Sequence, residues 1–265
     1  MASAAWLAVS REPLTGLSDL STSSGPWATW ARGVCLAALG SYDDAVNTLA
    51  GMRESAPPEP SGLAAAAIGS VHRELGAHDL AIAWDDLAIS AEGAAVADGL
   101  IGRTADEIGL GHAGAAAGYL ARAATAASGW RDEVRLNWVR TELSLLTDQP
   151  VSAINHAEHA LSLSVASDSP WHSIKSRLFL LVARQAAAGV APTPSGPSDS
   201  LAEVAVDAAD LQLRPLVWSA VCAAGAKAGP NAVSRARNAI AFIDDHLPAG
   251  ADRFWLDRTD IAWLR

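Results

Sequence analysis

His156 and His159, in the run Asn155-His156-Ala157-Glu158-His159, stand three residues apart, a spacing that puts both on one face of a helix. Two imidazoles so placed can chelate a metal, but a zinc site needs three or four ligands. Neither His172 nor the two cysteines, Cys35 and Cys222, can be brought beside them from the sequence. Both histidines therefore read as polar surface residues, and no metal or other cofactor is called for. Three acidic pairs, Asp43-Asp44, Asp85-Asp86 and Asp244-Asp245, have the composition of general acid–base sites. The first opens a helix, where negative charge offsets the helix dipole; the other two read as solvated. Ile101-Gly102 and Gly109-Leu110-Gly111 lack the preceding strand and the lysine of a phosphate-binding loop. No serine stands in a nucleophile elbow. No catalytic residue emerges, and a non-enzymatic protein is expected. The one enzymatic alternative would join His156 and His159 to nearby carboxylates.

Charge narrows the partners. The 265 residues hold 19 Lys and Arg against 29 Asp and Glu, a formal charge of −10, which opposes binding to a phosphate backbone. Arg131, Arg135 and Arg140 cluster, as do Lys175, Arg177 and Arg184, and both groups read as solvated helix faces. Nucleic acid is not an expected partner. Both cysteines fall in apolar helical segments and read as small buried hydrophobes. No apolar run approaches the roughly 20 residues of a membrane span. The N-terminal stretch, interrupted by Arg11 and Glu12, lacks the pattern of a leader. The expected setting is the cytoplasm, with no membrane insertion.

Any functional residue must be positioned by a repeat. Half of the residues are hydrophobic, and many of those are alanine, the best helix former. Alternation with period two is rare, so the fold class is all-α. Gly33, Leu39-Gly40 and Ala45 recur as Gly69, Leu75-Gly76 and Ala81; Ala45, Ala81, Ala116 and Ala153 follow one another at 36, 35 and 37 residues. A fixed period in the thirties marks stacked helical hairpins. Four hairpins are expected over 26–168, with helices over 26–39, 41–52, 62–75, 79–90, 97–109, 113–127, 132–146 and 151–164. A looser pair over 169–249 starts at Ser169, a good N-cap, and carries a Pro/Ser-rich linker at 190–200. An extension over 1–25 with a short helix precedes the array, and a capping helix over 250–265 ends it.

At these residues the chain resembles the tetratricopeptide repeat (TPR) family. Gly33 stands at that family's first-helix glycine, Gly40 and Tyr42 at its turn, Ala45 at its second-helix alanine and Pro57 at its closing proline. The second unit matches at Gly69, Gly76, Ala81 and Ala88, and the fourth at Ala153 and Ala160, with Asp148 and Pro150 in place of a turn glycine. The resemblance implies a right-handed α-α superhelix, a TPR-like solenoid of about five to six helical hairpins with a C-terminal capping helix. It also implies a concave groove lined by Trp27, Trp30 and Val34, by Ser70, Arg73 and Glu74, by Arg135, Trp138 and Glu142, and by Trp171. Tryptophan and arginine dominate binding hot spots, so such a groove suits a partner peptide or protein with acidic and apolar side chains. The implied function is a protein–protein interaction scaffold or adaptor. The alternative is a regulatory sensor that binds a small ligand or signalling peptide in the same groove, with the Gly-rich third unit as its hinge.

Overall fold

Four hairpins turn on a left-handed residue at the same place in the repeat. Gly40, Gly76 and Gly111 have φ of 83°, 84° and 79°; Asp148, which replaces glycine in the fourth unit, has φ of 56°. Aspartate is one of the few L residues that enter this region readily. At each turn that residue and the next one donate back into the helix end. Gly40 donates to Ala37 and Ser41 to Leu36, just as Asp148 donates to Leu145 and Gln149 to Ser144. This pairing satisfies carbonyls that a helix terminus leaves orphaned. Five residues past each turn stands an alanine with no exposure at all: Ala45, Ala81, Ala116 and Ala153.

The computed structural model describes residues 2–188, 200–258 and 260–265. Helix takes up 77% of the described residues and no strand occurs among them, so the fold is all-α. Two short helices, α1 (Ala2–Ala8) and α2 (Pro13–Asp19), come first. Six pairs follow: α3 (Pro26–Leu39) with α4 (Tyr42–Ala50), α5 (Pro58–Glu74) with α6 (His78–Ile89), and α7 (Ala94–Gly109) with α8 (Ala113–Ala126). Then come α9 (Trp130–Leu146) with α10 (Pro150–Ala166), α11 (Pro170–Ala187) with α12 (Leu201–Asp210), and α13 (Arg214–Ala224) with α14 (Gly229–Asp244). A short α15 (Asp252–Leu256) and a 3-10 turn (Ala262–Leu264) end the chain. Consecutive helices pack on one another, as stacked hairpins require. No helix among the described residues is long and apolar enough to cross a membrane.

Most helix ends fall within three residues of the sequence reading, and three elements depart further. Helix α5 starts at Pro58 rather than at 62, because Pro58 and Pro60 both fall in the first turn, where a missing N–H is no loss. Helix α2 forms within a stretch read as connection, again from a proline at its first position, with Pro13 and Gly16 buried. The last helix breaks after Leu256 instead of running to 264. The linker read at 190–200 lies, apart from Ser200, outside the described residues. Ser200 starts α12 with a capping box: its hydroxyl accepts from the Glu203 N–H, and the Glu203 carboxylate accepts from the Ser200 N–H.

The stack closes on itself. One core cluster joins Ala38, Tyr42, Val71 and Leu75 of the first two hairpins to Ile174, Leu213, Val217, Ile240 and Ile243 of the last two. Arg214 Nη1 donates to the Leu39 carbonyl at 2.7 Å, and Arg258 Nη1 donates to that of Glu74 at 2.9 Å. The Asp43 N–H donates to the His246 carbonyl at 2.9 Å. Near the chain start, Ser169 Oγ donates to the Ser10 carbonyl at 2.6 Å, and the Arg131 guanidinium lies 5.1 Å from the Trp6 ring centroid. Closure makes the inner face of the array the wall of a cavity.

Candidate functional site

The first helices of the hairpins, α3, α5, α7, α9, α11 and α13, furnish most of the wall of two adjoining chambers of about 100 and 490 Å³. Of the ten residues expected in a groove, Trp30 and Trp171 border the smaller chamber, Arg73 and Glu142 the larger, and Glu74, Arg135 and Trp138 both. Val34 borders the smaller and Ser70 both. Trp27 borders neither. It packs on Trp6 and Trp30, with ring centroids 6.3 and 6.1 Å apart, beneath helix α1.

A buried carboxylate organises the smaller chamber. Asp98 on α7 is 3% exposed and accepts from both Nη atoms of Arg131, at 2.9 and 3.2 Å, and from Arg135 Nη1. Burial alone would raise the Asp98 carboxyl, but the two arginines outweigh it and hold the group below its usual value. Arg131 and Arg135 are thus not the solvated residues the sequence suggested. Four residues apart, they share one face of α9, and Asp98 draws that face inward. Arg140, the third of that cluster, stays at the surface near Glu133. In the other cluster, Lys175 turns inward to border both chambers, while Arg177 pairs with Asp207 at 2.7 Å and Arg184 with Glu158 at 3.1 Å.

His172 is the second residue the sequence did not single out. Its imidazole packs among Trp130, Trp138 and Trp171, with centroids 5.1–5.6 Å away. The Ser169 hydroxyl, read as an N-cap, makes no cap bond; it lies 2.8 Å from His172 Nδ1 and gives its proton to Ser10. Trp138 Nε1 donates to Ser176 Oγ at 2.9 Å, which fixes the indole between His172 and Phe179.

Both chambers meet at a further set of charges. Glu74 accepts from the Tyr42 hydroxyl at 2.9 Å and faces Lys175 Nζ at 3.8 Å; that ammonium also lies 4.9 Å from the Trp138 ring centroid. Glu142 differs from its neighbours, because it has no hydrogen bond or ion pair among the described residues. Burial raises its pKa, against the more distant positive charges of Lys175 and Arg73 and the pull of His78. Trp218 and Arg258 complete the larger chamber, with the guanidinium 4.8 Å from the indole centroid.

Asp85 overturns the expectation of a solvated pair, for it has no exposure. It occupies the place that Leu49 holds one repeat earlier. Leu49 fills the space over Gly33, and Asp85 lies against Gly69 and Gly102, where any Cβ would strike its carboxylate. Gly109 likewise leaves room for the His78 ring. Two glycines of the expected hinge are therefore sites of close packing. Arg73 Nη2 donates to Asp85 Oδ2 at 2.6 Å, and its Nε lies 3.2 Å from Asp106 Oδ1, which His78 Nδ1 approaches at 3.1 Å. Burial, opposed by Arg73 and reinforced by Asp106, raises the Asp85 carboxyl well above its usual value. Arg73 thus joins the two buried carboxyls, Asp85 and Asp106. Neither borders a chamber, so they tie α5, α6 and α7 together instead of meeting a bound molecule. Asp86 is solvated as read, and Asp244 accepts from Trp255 Nε1 at 2.5 Å.

Other reactive groups are poorly placed for chemistry. Burial pushes the Cys35 thiol up to about 12 and, with Asp260, that of Cys222 to about 11, so both are protonated thiols near neutral pH. His156 is half-buried and His159 exposed on α10. No group of three or more His, Cys, Asp or Glu among the described residues is arranged to hold a metal ion. No protein-family model matches the chain, and no curated protein matches it.

Proposed function

We propose that this protein is a non-enzymatic regulatory sensor: a right-handed, TPR-like solenoid, closed on itself, that encloses a small ligand or signalling peptide. The observation that carries the reading is the closure. Contacts from Arg214 to Leu39 and from Arg258 to Glu74 turn a groove into a cavity. Its larger chamber, about 490 Å³, falls within the roughly 300–1,000 Å³ typical of small-molecule sites. Aromatic side chains with a few fixed charges line it, the usual composition of such sites. An adaptor that lays a folded partner along an open concave face would first have to part these contacts. A cytoplasmic location belongs to the same reading and suits two free thiols.

Nondenaturing mass spectrometry of protein purified from its native source tests the proposal. A bound species of defined mass, lost on replacing Trp138 by alanine, is the expected result. Protein that is empty, and whose melting temperature responds to no member of a peptide and metabolite library, would refute it.

A further inference from the structure

Three residues on one face of α9 give the cavity a polarity. Arg135, Trp138 and Glu142 are related as i, i+3 and i+7, so seven residues at 1.5 Å each separate the two charged ones by about 10.5 Å along the axis. All three border the larger chamber. At one end, Arg135 uses Nη1 on Asp98, while its Nε and Nη2 have no acceptor among the described residues. Arg131 is already committed to that carboxylate through both Nη atoms. At the other end stands Glu142, without a hydrogen bond or ion pair among the described residues. The aromatic side chains of Trp138, Phe179 and Trp218 line the same chamber. The remaining cations that border the chamber are answered: Arg73 by Asp85 and Asp106, Lys175 by Glu74, Arg258 by Asp260.

Leaving a charge without a partner in a largely apolar chamber is unfavourable, and a ligand carrying the complementary group removes that penalty. We infer that the occupant is a short linear peptide of about three apolar residues with both termini free, its carboxylate on Arg135 and its ammonium on Glu142. An extended residue spans roughly 3.3–3.6 Å, so about three match the rise along α9 between the two residues. This inference rests on the enclosed-ligand reading and specifies its ligand.

Calorimetric titration with a library of apolar tripeptides tests it, beside the same library N-acetylated and the same library C-amidated. The free library should bind, and blocking either terminus should weaken binding at least tenfold. In Glu142→Gln the acetylation penalty should vanish while the amidation penalty persists; in Arg135→Lys the ammonium should retain part of the carboxylate's affinity. Equal binding of free and blocked libraries, an acetylation penalty that survives Glu142→Gln, or no binding of any library would overturn the inference. Copurification of a non-peptide ligand would overturn it too, yet leave the enclosed-ligand reading standing. A cavity empty in native protein and silent to both peptides and metabolites would remove both.

Discussion

Arg214 and Leu39 are 175 residues apart in the chain, yet the guanidinium of one donates to the carbonyl of the other at 2.7 Å. The acceptor is one of the carbonyls left over at the end of α3, so the bond satisfies a helix terminus and joins the last hairpin to the first. The same guanidinium lies 3.8 Å from the Phe242 ring centroid. Two ends of an array that would otherwise touch only their sequence neighbours are thereby coupled.

Arg214→Ala should therefore loosen the closure as well as lower stability. A hydrogen bond with one charged partner contributes about 1.5–3 kcal/mol, and that is the expected loss in denaturant unfolding. Small-angle scattering should show a larger radius of gyration, since the apolar cluster would keep only the Asp43 and Arg258 hydrogen bonds beside it to hold the first two hairpins to the chain end. An unchanged radius and midpoint together would mean that apolar packing closes the array unaided.

Gly33→Ala tests the hairpin register. Its new Cβ would collide with the Leu49 side chain, so overpacking of about 1–3 kcal/mol is expected. Adding Leu49→Ala opens the space that the methyl needs. The double variant should then be more stable than the sum of the single losses implies, by about 1 kcal/mol or more. Additive losses would show that the two side chains do not compete for one site.

This register is also what made the fold legible. Small residues recur because two helices of a hairpin cross over them, and a turn needs a left-handed residue at a fixed offset; both requirements leave marks one residue wide. From such marks the first-helix face could be followed to Trp30, Glu74, Arg135, Trp138, Glu142 and Trp171, and the cavity walls hold all of them. Asp98 and His172 left no such mark. Each is buried because residues from other hairpins converge on it, and Arg131 looks the same in sequence whether water or Asp98 receives it. Asp85 was misread for a related reason: a repeat position filled by Leu49 gives no hint that a carboxyl can occupy it once Arg73 is present. Closure itself depends on contacts such as Arg214 to Leu39, which no local spacing encodes.

Asp85→Asn should separate the ionisation of this carboxyl from its shape. The folded-state pKa is raised, so the wild-type group contributes stability that is complete below the unfolded value, about 3.9, and is lost as pH rises through the folded value. Asparagine keeps an acceptor for Arg73 and cannot ionise. The variant should thus match wild type in acid and gain on it progressively towards neutral and alkaline pH, as read by unfolding midpoints across the range. A difference that does not vary with pH would mean that folding leaves the Asp85 carboxyl at its ordinary value.

His172 should give the opposite limb. Burial lowers its pKa well below 6.5, and the positive charges of Arg131, Arg135 and Lys175 act in the same direction. Because the Ser169 hydroxyl proton goes to Ser10, His172 Nδ1 carries the hydrogen that meets the Ser169 oxygen, and the ring is neutral. The unfolded chain, with an ordinary histidine, takes up a proton from about pH 6.5 downward, while the folded chain does not. Stability from this group is therefore present above about pH 6.5 and falls by up to about 1.4 kcal/mol for each further pH unit until the folded pKa is reached. Replacing His172 by asparagine, which can still donate to Ser169, should flatten the profile between about pH 6.5 and 5, above the range where ordinary carboxylates titrate. The contact between Ser10 and Ser169 shares this polar chain, so loss of protection at the α1–α2 segment in hydrogen exchange should follow the same pH course. Parallel profiles for wild type and variant would place a charged or solvated imidazole at this position and refute the neutral one.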